Sequence, residues 1–212
     1  MTTNNEVEMI VEGNERYIQI NDVGVKDVER VWEQLSASFP GFVVDFCFTN
    51  SLAPEKFLLA IGAEMLENSL IMRLSENDFI DIATHSTATP VTAESFAAFA
   101  ACHDAANPEM YWSSQRLLDD IDSWDIFVIE RHGTIVGYAL LRDGWELYCA
   151  TANSMDDKIA LMSAAAKANF AAGSDVDDLL FWAERDNFTE RGAAMHLGFR
   201  REGYHVAYRV II

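Results

Sequence analysis

The chain carries one pattern twice. Residues Val43–Leu74 slide onto Leu179–Val210, 136 positions on, without a gap. Gly62 then falls on Gly198, Arg73 on Arg209, and Leu70, Met72 and Leu74 on Val206, Tyr208 and Val210. Only the glycine and the arginine are identical, so what repeats is the pattern: apolar strand, short helix, glycine, alternating strand. A glycine at a helix end supplies the left-handed residue that stops it. An alternating run after it reads as a strand with one covered face. Such a repeat is one supersecondary unit used twice. It predicts half a domain, residues 1–76, followed by a whole one, residues 77–212, with the boundary in 75–86.

Periodicity places the other elements. "RYIQI" reads as a strand and "VKDVERVWEQLSASF" as a helix. "VTAESFAAFAACHDA" and "MYWSSQRLLDDI" are two helices, with Thr92 a candidate cap for the first. "WDIFVIERHGTIVGYALLRDG" is a hairpin that turns at His132-Gly133, and "WELYCATA" is the next strand. "SMDDKIALMSAAAKANFAAG" is a helix with an apolar stripe of Ile159, Met162, Ala166 and Phe170. "DLLFWAE" is a continuous apolar run, as in a strand covered on both faces. From about Phe79 the order is β-α-α-β-β-β-α-β-α-β.

Composition excludes several classes. Half of the 212 residues are apolar, which is globular and not disordered. Fifteen basic residues stand against 34 acidic ones, a net charge of −19, so no basic surface awaits nucleic acid. The acidity suits a cationic or amine substrate, or a basic partner. No apolar run reaches the ~18 residues of a membrane helix, and MTTNNEVEM has no signal-peptide character. Cys47, Cys102 and Cys149 have no metal-type spacing and fit a reducing, cytoplasmic setting. His85, His103, His132, His196 and His205 are scattered, which argues against a metal site.

Element order and the stretch Asn187–Phe199 resemble the GNAT family of acyl-CoA-dependent N-acetyltransferases. That family ends its core with N-x-x-A-x-x-x-Y-x-x-x-G-F and a final strand; Asn187, Gly198 and Phe199 stand at the matching spacing. "IVGYALL" (Ile135–Leu141) resembles its third strand. The resemblance covers 79–212 as a full domain and 7–74 as a half-domain, as in tandem members such as mycothiol-synthase-like enzymes. It implies an α/β (α+β) GNAT fold: a mixed, mostly antiparallel sheet flanked by helices, with an N-terminal half-GNAT repeat. It also implies acetyl-CoA as co-substrate and acetyl transfer to a small-molecule amine.

Two departures go with it. The family's pyrophosphate loop, [QR]-x-x-G-x-[GA], is replaced by "ATANSMDDKIAL", with no glycine and no arginine. Asp156 and Asp157 fall where phosphates would approach. Facing the ligand they would repel it; facing solvent they would only complement the helix dipole. "NDVGVKDVERV" in the first half offers Gly24 and Lys26 but not the motif. The family's tyrosine acid is replaced by Ala194, and Glu190 replaces a small residue.

The resemblance implies a carbonyl-polarising N–H on the fourth strand, near Cys149, Ala150 and Thr151. With Lys158 and Asn187 these are the expected cofactor contacts. Glu146 is the candidate base and Tyr148, two residues on and so on the same face, the candidate acid; a solvated charge and a half-buried aromatic are the plainer readings. Asn187 followed by Glu190 also reads as a near capping box. Tyr111, Trp112 and Trp124 are expected to wall the substrate site. A degenerate GNAT-fold binding or interaction module without acetyl-CoA is the alternative function, and a homodimer is open.

Overall fold

The computed structural model describes residues 8–108, 110–173 and 178–212. The chain forms two compact units: residues up to Leu70 with Gly203–Ile212, and Ile71–Glu202. This division differs from the one read at residues 75–86, because the end of the chain belongs with the beginning. Among the described residues, no helix is long and apolar enough to cross a membrane.

The first unit begins with a hairpin, β1 (Glu8–Glu12) and β2 (Tyr17–Asn21), paired antiparallel. Helix α1 (Val28–Ser38) follows, burying Val28, Val31 and Leu35 at helical spacing. Then come β3 (Val43–Thr49), α2 (Glu55–Ala60) and β4 (Glu64–Leu74), whose last residues enter the second unit. Strands β2 and β3 run parallel. The last strand, β10 (Arg200–Ile211), pairs antiparallel with β3 from His205 to Ile211. That pairing draws the C-terminus into this unit. Ile18, Ile20, Val44, Phe46 and Phe48 form a core with Tyr208 and Val210.

The arginine of the repeat has a physical reason here. Arg209 lies directly opposite Asp45 in the β3–β10 register. Its Nε and Nη2 donate to the buried Asp45 carboxylate at 2.8 and 2.7 Å. The Tyr17 hydroxyl donates to the same carboxylate at 3.0 Å. Burial first, and then the Asp45 charge, push the Tyr17 hydroxyl's pKa up. In the second unit its counterpart Arg73 also holds an ion pair, to Glu202 at 2.8 Å.

The second unit contains a two-residue strand β5 (Thr89–Pro90), helices α3 (Phe96–Ala106) and α4 (Ser114–Asp119), and strands β6 (Trp124–Arg131), β7 (Thr134–Arg142) and β8 (Glu146–Ala152). The long helix α5 (Met155–Ala171), β9 (Leu179–Glu184) and α6 (Phe188–His196) follow. From β5 to β8 the neighbours are antiparallel, and β8–β9 is parallel. β4 lies beside β9. Each half therefore pairs its parallel strand with the final strand of the other repeat: β3 takes β10, and β9 takes β4. The sequence repeat did not reveal this exchange.

Two sequence features find their causes. A Cβ on Gly137, in the "IVGYALL" strand, would meet the Thr151 carbonyl at 2.9 Å and Leu161 at 3.2 Å. Gly198 has φ +99°, and a Cβ there would lie 2.0 Å from the Asp78 carbonyl oxygen. It stops α6 in the left-handed conformation and also leaves room for another backbone. Its repeat partner Gly62 has φ +84° and open space.

Candidate functional site

The site grows from an irregularity in β8. The β7–β8 register moves from Leu140↔Cys149 to Leu141↔Leu147, so Tyr148 is the extra residue of a bulge. The bulge places Tyr148 and its neighbour Cys149 on one face, both packed against the cluster around Phe99, Leu117 and Trp124. Among the described residues, β8 pairs with β9 only at Glu146↔Leu180 and Leu147↔Phe181. Past the bulge the two strands part. In the first unit, among the described residues, β2 and β3 pair without a break from Tyr17↔Val43 to Asn21↔Cys47. Asp22 closes their end, accepting from Thr49 N at 2.7 Å and Ser51 Oγ at 2.8 Å.

One wall is aromatic. Tyr111, Trp112, Trp124 and Tyr148 form a continuous ladder, with centroids 5.3, 5.0 and 5.7 Å apart in edge-to-face contacts. The expected wall residues and the candidate acid therefore do come together. Arg142 lies over Trp112 at 5.0 Å and over Trp124 at 5.8 Å. Glu146 stands opposite Arg142 in the β7–β8 register, so these two oppositely charged side chains share a face. Arg142 was not foreseen; its place directly before the hairpin turn that leads to Glu146 was the available signal.

On the other side is the N-terminus of α5. Ser154 caps it, accepting from Asp157 N at 3.1 Å. Asp156, half-buried, and Asp157, buried, are both held by donors within the chain. The Asp156 carboxylate accepts from the backbone N–H groups of His85 (3.1 Å) and Ser86 (3.1 Å). The buried Asp157 carboxylate accepts from Ser86 Oγ at 2.5 Å and from both Arg131 nitrogens at 3.0 and 2.6 Å. Burial alone would raise its pKa; the hydrogen bonds from Ser86, Arg131 and Ser154 outweigh that and hold it below the usual carboxylate range.

Lys158 is buried, and its Nζ donates to the Ala150 carbonyl at 3.0 Å. Glu190 Oε1 lies 3.9 Å from the same nitrogen. Burial raises the Glu190 pKa against the opposing Lys158 charge. Asn187 Oδ1 accepts from Glu190 N at 3.1 Å, the first half of a capping box. The second half is absent: Glu190 Oε2 accepts from Glu184 N, not from Asn187 N.

Burial is the chief cause that pushes the thiol of half-buried Cys149 up to about 12, which disfavours its thiolate at neutral pH. Thr151 is exposed opposite Tyr138. Ala194, at the family's tyrosine position, is fully buried. Among the described residues no group of His, Cys, Asp and Glu is arranged for a metal.

The start of α5 lacks the glycines and the basic residue of the pyrophosphate loop that the resemblance implies. A pyrophosphate needs free N–H donors at the α5 N-terminus. There Ser154 takes the Asp157 and Lys158 N–H groups, and the Asp156 and Asp157 side chains are held by His85, Ser86 and Arg131. The backbone of β8 past the bulge offers a carbonyl at Ala150 that Lys158 already takes.

No family model matches the chain, and no curated protein matches it. Solved structures do. A GCN5-related N-acetyltransferase from Sphaerobacter thermophilus aligns with a TM-score of 0.70 at 13% identity, covering 97% of this chain and 76% of that one. An acetyltransferase of the GNAT family from Colwellia psychrerythraea aligns at 0.62 and 14% identity, covering 99% and 83%. A tandem GNAT protein from the clavulanic acid biosynthesis pathway aligns at 0.57 and 10% identity, covering 97% and 78%. At such identities the likeness is one of fold: this chain has the fold of the GNAT acetyltransferases.

Proposed function

We propose that the protein is a GNAT-fold binding module that holds a small primary amine on the acceptor side of its second unit, without an acyl donor. The observation that carries this reading is the ladder Tyr111–Trp112–Trp124–Tyr148, with Glu146 opposite the Arg142 that lies over two of its rings. The Glu146 carboxylate supplies the negative charge an ammonium group needs, and the aromatic ladder supplies an apolar wall beside it. Arg142, opposite Glu146, suits a carboxylate on the same molecule, so amines of amino-acid type are the first class to try. The test is tryptophan fluorescence during titration with amino acids, simple alkylamines and a polyamine. Saturable quenching that Trp112→Ala and Glu146→Gln weaken at least about tenfold supports the reading. A flat response to the whole panel rejects it.

The second reading is an acyltransferase, favoured by one feature: Glu146 stands on β8 two residues before the bulge. In it Glu146 removes the ammonium proton and Tyr148 protonates the leaving group. It predicts thiol release from acetyl-CoA with some amine, and a strong drop in turnover for Glu146→Gln at unchanged melting temperature.

A further inference from the structure

Around the start of α5 two sets of anion-binding donors and one buried strand carbonyl each have a partner within the chain. Consecutive backbone N–H groups at His85 and Ser86 converge on one carboxylate, a donor pair that could equally hold a phosphate oxygen. Asp156 fills it at 3.1 Å from each N–H. Beside it, Arg131 presents two nitrogens and Ser86 a hydroxyl, a fork suited to a phosphoryl or carboxylate group. Asp157 fills that one, at 2.6 to 3.0 Å from the Arg131 nitrogens. Arg131 Nη2 also donates to Ser86 Oγ at 2.8 Å, which ties the two receptors together. One residue further on, Lys158 covers the Ala150 carbonyl beyond the bulge.

We infer that three consecutive side chains of α5, Asp156, Asp157 and Lys158, act as a built-in substitute for the acyl-CoA that the fold otherwise accommodates. The two carboxylates stand in for the paired anionic groups, and the lysine ammonium stands in for the amide donor that would bond the strand. The residues need no outside ligand to satisfy them, and the carboxylates repel one that arrives. This deepens the proposed binding function and rests on its donor-free reading.

The test is calorimetry with inorganic pyrophosphate and with acetyl-CoA, on the full chain. Four proteins are compared: wild type, Asp156→Asn, Asp156→Ala/Asp157→Ala, and the double variant with Lys158→Met added. Wild type is expected to bind neither probe. The double variant is expected to gain pyrophosphate binding, because Arg131, Ser86 and the two N–H groups are released. Acetyl-CoA binding should strengthen further, at least about tenfold, when Lys158→Met frees the Ala150 carbonyl. If the double variant fails to fold by circular dichroism, Asp156→Asn decides: it removes one charge, keeps the helix start, and should bind pyrophosphate detectably. Micromolar binding of either probe by wild type overturns the inference, as does a folded double variant that binds neither. The amine titration is read separately, so either proposal can fail while the other stands.

Discussion

Lys158 Nζ lies 3.0 Å from the Ala150 carbonyl oxygen and 3.9 Å from Glu190 Oε1, with both charged side chains largely buried. A buried pair is costly to break from one side. Glu190 has a raised pKa in the fold, so its contribution to stability is complete below the ordinary carboxylate range and is lost as pH rises through its folded value. Lys158→Met removes the charge that opposes this rise. The variant should lose about 1–3 kcal/mol at pH 8 and clearly less near pH 5. Urea unfolding at both pH values checks it; an equal deficit at both would contradict the pairing.

Asp157 has the opposite sign. Its folded pKa lies below the unfolded one, so its stabilisation is present above the ordinary carboxylate range and disappears as pH falls through the folded value. Asp157→Asn should therefore flatten the acid limb of the stability curve and do least at the acid extreme. Melting temperatures between about pH 2 and pH 7 measure this. A parallel downward shift at every pH would mean that the side chain matters by shape and not by charge.

The two glycines of the repeat separate conformation from space. Gly62→Ala meets only the left-handed backbone, at φ +84°, and should cost about 1 kcal/mol. Gly198→Ala meets φ +99° and the Asp78 carbonyl at 2.0 Å, so backbone must move. It should cost at least about twice as much. Equal losses in chemical denaturation would remove the close approach as a cause.

Cys149 should resist alkylation. With its thiol pushed up to about 12 by burial, almost none is thiolate at pH 8. Mass spectrometry after iodoacetamide treatment should find it unmodified in the native protein and modified in urea. Rapid native labelling would place Cys149 in a more open setting.

The backbone was far more legible in the sequence than the site. Gly62 and Gly198 end their helices because glycine alone takes a positive φ freely, and that preference is local. Strand β1 was missed because its apolar residues Met9, Ile10 and Val11 are exposed, so no buried face imposes a period. A strand was expected near Phe79; a short 3-10 turn at Glu76–Asp78 stands before it and the strand is only Thr89–Pro90. Thr92 lies a turn ahead of α3, in a turn closed by Ser95 Oγ, and the helix starts at Phe96. The clamp on Asp157 was invisible because Ser86 and Arg131 are 71 and 26 residues away in sequence. Two adjacent acids after a serine cap read equally well as dipole partners, and only the fold supplies their donors.

The proposal that Asp156, Asp157 and Lys158 take the place of an acyl-CoA is the one to test first. The most direct measurement is a calorimetric titration of the unmodified protein with acetyl-CoA at low and moderate salt. The account predicts no saturable heat up to about millimolar ligand, which bounds binding weaker than about −4 kcal/mol. A micromolar dissociation constant that weakens with salt would contradict it, because Asp156 and Asp157 would then have to leave His85, Ser86 and Arg131 to admit the phosphates.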